Sequence, residues 1–521
     1  MTHSFAHPAR LRALAVAYGH AEPRLDAFRY LELGCGSGAD LLPLAAEFRD
    51  ATFVGVDDPQ ALGEAPDAAV ACGLGNLQFC SEDELDGTFD FVFVPGSLSR
   101  LPADARKARL ARIASLLAPG GVALLVYPTL PGASLRSAVR RAFTTPTRQG
   151  VSASEAALGA RARIVKLLRH APSASAPHFE LLREELARLD GELTVDPRGV
   201  LADPLEPLLV GEVIDAAKDA GLAFVCEALP ATPDGALELA FVPGLMSEGL
   251  SRRDAEVALD VTCNRAARAS LFVRGEAEGS PEPRVERLLE TGRFAACFGL
   301  DVEGFDLSPG VLLTFAASHG TKVESADPYL KAALHELSAS WPRGLTADEL
   351  RTSIVALLER EGIAVDSASV DRELGATLGA VLELVRRRHV ELLPWSPTFD
   401  EVIDGYPRLR AVTRYELSRG ATLTSARHES VALDQVFVTI AAMLDGRHSL
   451  EDCIKKFGDL LDVGALKVEG MPATPAERGR ALQNLLVGAL VRLRNLGVLE
   501  PSTAPVEVAP GVGDGSGPAQ G

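Results

Sequence analysis

The chain has 521 residues, 47% hydrophobic and 24% charged, with a net charge of −19. That length exceeds one ordinary domain, and the composition is that of a folded globular protein. The acidic balance argues against a general affinity for nucleic acid, which rests on cationic contacts to phosphate; the seven scattered cysteines, with no C-x-x-C pair, argue against a disulfide framework or a structural zinc site.

Residues 8–19 read as a short helix with Leu11, Leu14, Ala15 and Tyr18 on one face. Phe28–Leu33 is a buried strand that runs into the glycine turn Gly34-Cys35-Gly36-Ser37-Gly38. A helix is expected over Ala39–Phe48, with Pro43 tolerated in or near its first turn, where N–H groups lack helical partners. Thr52–Val56 is the second strand and ends in Asp57. Leu77–Cys80 is the third and leads to Ser81-Glu82-Asp83. Phe89–Val94 is the fourth, closed by Pro95-Gly96. After a helix at Pro102–Leu117 and a turn at Ala118–Gly121, Val122–Tyr127 is the fifth. Apolar runs alternating with helices predict an α/β fold, a doubly wound Rossmann-like sheet with parallel strands covered on both faces.

Beyond Gly132 the pattern turns helical, at 133–143, 152–170, 178–191 and 211–220, with 171–177 as a linker and Leu222–Cys226 as a returning strand. This stretch reads as an appendage to the sheet. From Asp327 the helices Tyr329–Leu337, Thr346–Glu361 and Val370–Arg386 precede a strand at His389–Leu393. A similar set follows at Leu433–Leu444, Ser449–Leu461 and Pro475–Leu496, so both sets look winged-helix-like. The run Arg386–His389 reads as a solvated helix end, favourable beside the C-terminal dipole, and His428 as a structural histidine. The expected plan is a sheet domain at 1–145, a helical domain at 146–275 and a middle helical, winged-helix-like domain at 276–400. A C-terminal winged-helix-like domain at 401–501 and a disordered tail at 502–521 complete it. No run reaches transmembrane length and no apolar signal core is seen, so a cytoplasmic protein without membrane insertion is expected.

A strand, a glycine turn, a helix, a second strand and a terminal acid form the nucleotide half-site of such sheets. Gly34, Gly36 and Gly38 permit positive φ and close approach of a ligand, and the N–H groups opening the next helix face the same crevice. Asp57 stands where an acid accepts from ribose hydroxyls, with Asp58 as a competitor. Asp83, or Glu82 beside it, follows the third strand, where a carboxylate can accept from an adenine amino group; a solvated acidic loop is the plain alternative. The spacing G-x-G-x-G, with Glu32 just inside the strand, resembles motif I of the class I S-adenosylmethionine (AdoMet) methyltransferases. That resemblance implies AdoMet as cofactor, held by Glu32, Gly34, Gly36, Gly38, Asp57, Asp83 and Ser97, the last in the loop Pro95–Ser99. Tyr127 and Thr129, at the end of the fifth strand, are candidates to orient a neutral amine acceptor; strand-end packing is the other reading.

From about Phe5 to Pro501 the sequence resembles bacterial class I methyltransferases that carry a methyltransferase regulatory domain, a family that includes protein-lysine methyltransferases acting on outer-membrane proteins. The resemblance is carried by His7–Leu11, Leu31–Gly38, Gly55–Asp57, Leu117–Gly121, Tyr127–Gly132, Leu181–Leu186, Asp219–Leu222, Ala426–Asp434 and Leu444–Gly446. It implies N-methylation of protein lysine by in-line displacement, a protein partner and a homodimer. The chain departs from the family at Leu98 and Arg100, where a Tyr and a Trp are usual, at Pro128 for Asn and at Ala133 for Trp. A family segment with a His, a Tyr and acids would fall near Val195–Glu206, which here reads differently. These departures motivate the alternative, a degenerate methyltransferase acting as an AdoMet-sensing or protein-binding scaffold without turnover.

Overall fold

A seven-stranded sheet in the order β3-β2-β1-β4-β5-β7-β6 organises the N-terminal half of the chain. Its strands are β1 Arg29–Leu33, β2 Thr52–Val56, β3 Leu77–Cys80, β4 Phe89–Pro95, β5 Leu117–Pro128, β6 Leu222–Glu227 and β7 Ala267–Arg274. The first five pair in parallel, and β7 runs antiparallel between β5 and β6. This computed structural model describes residues 3–144, 152–170, 177–195, 206–229, 236–275, 282–300, 305–317, 322–399, 403, 405–466, 468, 471–472 and 474–500. Residues 171–176 of the linker expected at 171–177, most of the segment near 195–206 and the tail lie outside them.

Contacts divide the chain into two compact units, Met1–Pro397 with His428–Ser430, and Thr398–Arg427 with Val431–Gly521. In the first unit, helices α1 Pro8–Ala17, α2 Leu41–Glu47, α3 Pro59–Leu62, α4 Ala65–Ala71 and α5 Ala103–Leu116 accompany the early strands. The helix expected from Ala39 begins two residues later, and Pro43 falls in its first turn. Among the described residues no helix is long and apolar enough to cross a membrane.

The register sorts the side chains onto two faces, because alternate residues of a strand point opposite ways. Glu32 pairs with Gly55 and Phe93, and Phe93 with Leu124, so these share a face. Phe28, Tyr30, Phe53 and Phe91 form an aromatic cluster, with ring centroids 5.2–6.2 Å apart. The Tyr30 hydroxyl donates to Ala6 O at 3.1 Å, which ties the N-terminal segment to the sheet. Leu31, Leu33, Val54, Val56, Val92, Val94, Leu125 and Tyr127 belong to the opposite core, with Ile113 and Val213 from the covering helices.

The boundary expected at 145 needs correction. Two strands of the sheet, β6 and β7, come from within the stretch read as a helical appendage. β7 was not foreseen because Arg268 and Ser270 interrupt its apolar run, and charges inside a strand read locally as exposure. Both are fully buried, paired with groups distant in sequence.

The rest of the first unit has its own core, in which Leu334, Leu337, Leu350, Ile354, Leu357 and Val381 pack the helices Pro328–Ser340, Ala347–Arg360 and Val370–Arg386 together. Small sheets lie beside them, pairing Phe298–Leu300 with Leu313–Ala317 and Glu391–Leu393 with Arg293–Ala295. The second unit packs Ala411–Arg419, Gln435–Met443, Leu450–Asp462 and Pro475–Asn495 around Ile440, Phe457, Leu490 and Leu493.

Candidate functional site

The carboxyl ends of β1, β2 and β4 frame the site, the position at which open α/β sheets bind ligands. Gly34, Gly36 and Gly38 have φ of 90°, 51° and 69°, in the region that favours glycine. Gly34 N and Cys35 N donate to Val56 O at 2.8 and 3.3 Å, which stitches the turn to the end of β2, and Gly38 N donates to Cys35 O at 2.9 Å, which closes the turn on itself. Gly36 N donates to Asp57 Oδ2 at 2.8 Å.

The three glycines are required for different reasons. A Cβ at Gly38 would lie 2.9 Å from Phe79 Cζ, and one at Gly34 3.3 Å from Ser97 Cβ, whereas one at Gly36 would meet no protein atom within 4 Å. Gly36 therefore borders space that the protein leaves open. We expect Gly38→Ala to cost about 1–2 kcal/mol from backbone strain plus the clash, seen as a lower urea midpoint. Gly36→Ala should carry the same strain without the clash, and weaken ligand binding more than it weakens the fold.

Asp57 is half-buried, and its second oxygen accepts from Asp58 N at 2.9 Å. A carboxylate oxygen has two lone pairs, so one remains on each oxygen for a vicinal diol. Asp58, the sequence competitor, is occupied as the cap of α3, accepting from Gln60 N at 2.9 Å and Ala61 N at 3.0 Å. After β3, Glu82 pairs with Arg109 at 2.7 Å and Glu84 caps the turn through Ser81. Asp83 is left exposed, with no side-chain hydrogen bond or ion pair among the described residues. Ser97 is half-buried and donates to Leu33 O at 3.3 Å, which sets the loop after β4 against the glycine turn.

Glu32 is 2% exposed and its Oε2 has no hydrogen-bond partner among the described residues. Burial, with Asp40 and Asp57 nearby, pushes its carboxyl well above the usual range. Burial would also raise Asp40, but hydrogen bonds from His3 and His428 hold it well below, with His3 Nδ1 at 2.8 Å and His428 Nε2 at 3.3 Å. The structural reading of His428 is thereby given a partner. The crevice is acidic and buried on this side, with one carboxylate oxygen unpaired. An anionic pyrophosphate would be repelled by it, and a ligand carrying positive charge would be attracted.

Tyr127 and Thr129 do not join this group. Tyr127 lies on the face opposite Glu32, 1% exposed, with its hydroxyl 2.9 Å from Ser270 Oγ. Thr129 is fully buried and donates to Leu208 O at 2.9 Å, with Asp260 Oδ2 at 3.1 Å. Both border a buried cluster that sequence reasoning missed. At its centre Arg268 donates to Asp260 at 2.8–3.0 Å, to Glu227 Oε1 at 2.6 Å and to Glu256 Oε2 at 3.0 Å. Both hydroxyls are engaged at the end of β5, as the strand-end packing reading has it. The sequence offered one signal, an arginine and a serine within an apolar run, but not its partners.

A family model described as "Methyltransferase domain" matches residues 31–123, which hold the glycine turn, Asp57, Asp83 and Ser97. The chain carries a methyltransferase domain of the class I fold. A second model, "PKMT, C-terminal winged helix domain", matches residues 405–498, in accord with the winged-helix expectation there. The chain is 33% identical over 144 residues to the uncharacterized protein RP789 of Rickettsia prowazekii, covering 26% of each. It is 38% identical over 100 residues to trans-aconitate 2-methyltransferase of Deinococcus radiodurans, covering 19% of this chain and 37% of that one. Both matches span well under two thirds of the relatives' length. Among solved structures, PKMT2 from Rickettsia typhi superposes with a TM-score of 0.80 at 17% identity, covering 96% of this chain and 99% of that one. The same figures hold for that protein's complex with AdoHcy. At that identity the likeness describes the fold alone.

Proposed function

We propose that this chain is an AdoMet-dependent methyltransferase that transfers the methyl group to lysine nitrogen on a protein. The observation that carries the reading is the glycine-walled, acidic crevice, in which the unpaired Glu32 oxygen is buried beside Asp57. These residues fit a donor with a ribose and a positive charge. Asp57 would accept from the ribose hydroxyls, Asp83 from the amino group of the base, and Glu32 would face the cationic end. The open space at Gly36 and the turn held by Ser97 would admit the ligand against the backbone. When bound, AdoMet supplies a methyl group on a sulfonium, open to in-line displacement.

The protein's share of such a displacement is positioning and exclusion of water. The acceptor amine must arrive neutral to act as a nucleophile. Tyr127 and Thr129 would contribute by holding β5 in place. The PKMT-type winged helix domain and the likeness to PKMT2 support a protein lysine as acceptor.

A second reading, an AdoMet-binding scaffold without turnover, is favoured by one observation: the hydroxyls expected at the acceptor are committed to a buried network. One experiment separates the two. Incubation of the full chain with methyl-labelled AdoMet and lysine-bearing protein candidates, followed by mass spectrometry, should place label on lysine Nζ. Label on oxygen or carbon overturns the lysine assignment. AdoMet binding without transfer to any acceptor favours the scaffold.

A further inference from the structure

A cavity of about 660 Å³ lies in the first unit, and neither the glycine turn nor Asp57 or Ser97 belongs to its walls. It is enclosed by the N-terminal segment, the residues that follow β6, and the end of the helix Val370–Arg386 with the chain beyond it. Phe5, Leu14, Leu229, Val385 and Leu392 make much of the wall apolar. A cavity of this size suits a small organic ligand.

Two arginines reach this cavity. Arg10 is largely buried; its Nε has no hydrogen-bond partner, and its guanidinium carbon is 5.3 Å from the Trp395 ring centre. Burial lowers its pKa; Glu429 opposes that and Arg388 adds to it. Arg388 has φ of 58°. It follows the C-cap of its helix, with Arg388 N donating to Val385 O at 3.0 Å and His389 N to Leu384 O at 2.9 Å. That is a Schellman end, in which glycine or asparagine fits without penalty and a larger side chain is disfavoured.

Arg388 is exposed, and an arginine held in that conformation among the residues that line a cavity is a reason to look for a ligand. Neither guanidinium makes a hydrogen bond or an ion pair among the described residues. The two acids on the same wall, Glu391 and Glu429, have interactions of their own. The cavity therefore pairs an apolar wall with guanidinium donors that hold no hydrogen bond among the described residues, although Glu429 already acts on Arg10 more strongly than Arg388 does. Paired N–H donors of guanidinium groups suit the two oxygens of a carboxylate.

We propose that this cavity is a binding site for a carboxylate carried on an apolar body. The carboxylate bridges Arg10 and Arg388, and the body lies against Phe5, Leu14 and Leu392. The site is separate from the donor crevice, and the proposal does not rest on methyl transfer. A free organic acid and an acidic residue flanked by apolar ones in a peptide share this chemistry.

Calorimetric titration of the full chain with decanoate, with decanol and with the peptide N-acetyl-Leu-Glu-Leu-amide tests it. At least one acid should bind, and decanol at least tenfold more weakly than decanoate. Binding of decanoate alone identifies a free acid as the source, and binding of the peptide alone identifies a peptide carboxylate. Arg388→Asn should weaken binding at least tenfold with an unchanged or higher unfolding temperature, because asparagine accepts the left-handed conformation. Arg10→Gln should show the same loss of affinity; should that variant fail to fold, Arg388→Asn decides. Equal binding of decanol and decanoate, wild-type affinity in the variants, or no heat from either acid overturns the proposal.

Discussion

Replacing Arg268 with methionine should destabilise the first unit by about 3–5 kcal/mol, the usual result of removing one partner from a buried charge cluster. A fall in the urea midpoint, or failure to recover folded protein, is the expected readout. Arg268 is fully buried among Glu227, Glu256 and Asp260, each within 3.0 Å. Burial already pushes Glu256 and Asp260 above the usual carboxylate range, and Arg268 opposes it. Without the guanidinium, three carboxylates would share one dry pocket and must take up protons. The folded variant would then bind more protons than the unfolded chain, so its stability falls as pH rises. The deficit should accordingly shrink as pH is lowered from about 8 to about 5. Arg268→Lys keeps the charge but loses the planar fork, and should fall between wild type and methionine.

Glu32→Gln should separate stability from ligand binding. Burial, Asp40 and Asp57 hold the Glu32 carboxyl well above its usual range. A carboxyl raised in the folded state contributes stability in full below the unfolded pKa. That contribution is lost as pH rises toward the folded pKa, at about 1.4 kcal/mol per pH unit for one proton. Glutamine has the same shape and does not ionise, so the ligand-free variant should be at least as stable as wild type at pH 7–8, with a flatter dependence on pH. It also removes the carboxyl that can ionise when the cationic donor enters. Affinity for AdoMet should fall by roughly tenfold or more, the scale of a hydrogen bond to a charged group, as measured by calorimetry. Higher thermal stability together with weaker binding would mark Glu32 as a carboxylate kept for its ligand.

The donor side of the fold was legible in the sequence because its signals are local. The apolar runs at Thr52–Val56 and Leu77–Cys80 became β2 and β3 with the same bounds. The G-x-G-x-G spacing became three consecutive left-handed glycines against β2. Glu32, an acid inside an apolar strand, was also a local signal, and its unpaired oxygen gives that oddity a reason.

Where assembly depends on distant partners, the sequence misled. β7 is a central strand, yet Arg268 and Ser270 make it look half-exposed; the compensating acids lie on β6 and on the helix Arg252–Cys263. Tyr127 lies in β5 and Thr129 just after it, where an acceptor site was one of two readings, but register puts Tyr127 on the face opposite Glu32 and pairs it with Arg268. The run Arg386–His389 read as a solvated helix end. Arg386 and Arg387 fit that reading, both pairing with Glu383 at 3.4 and 2.9 Å. Arg388 is exposed as well, and only its left-handed backbone is something no composition rule foresees for arginine.

The central claim is that the crevice between Gly34 and Asp57 holds AdoMet. Isothermal titration of the full chain with AdoMet tests it most directly. Wild-type protein should bind one donor per chain with a dissociation constant on the order of 1–100 μM, the scale of ordinary enzyme substrates. Asp57→Ala, which removes the ribose acceptor and the partner of Gly36 N, should weaken binding by roughly tenfold or more. No binding by folded wild-type protein at concentrations above that range, or full affinity in Asp57→Ala, would contradict it.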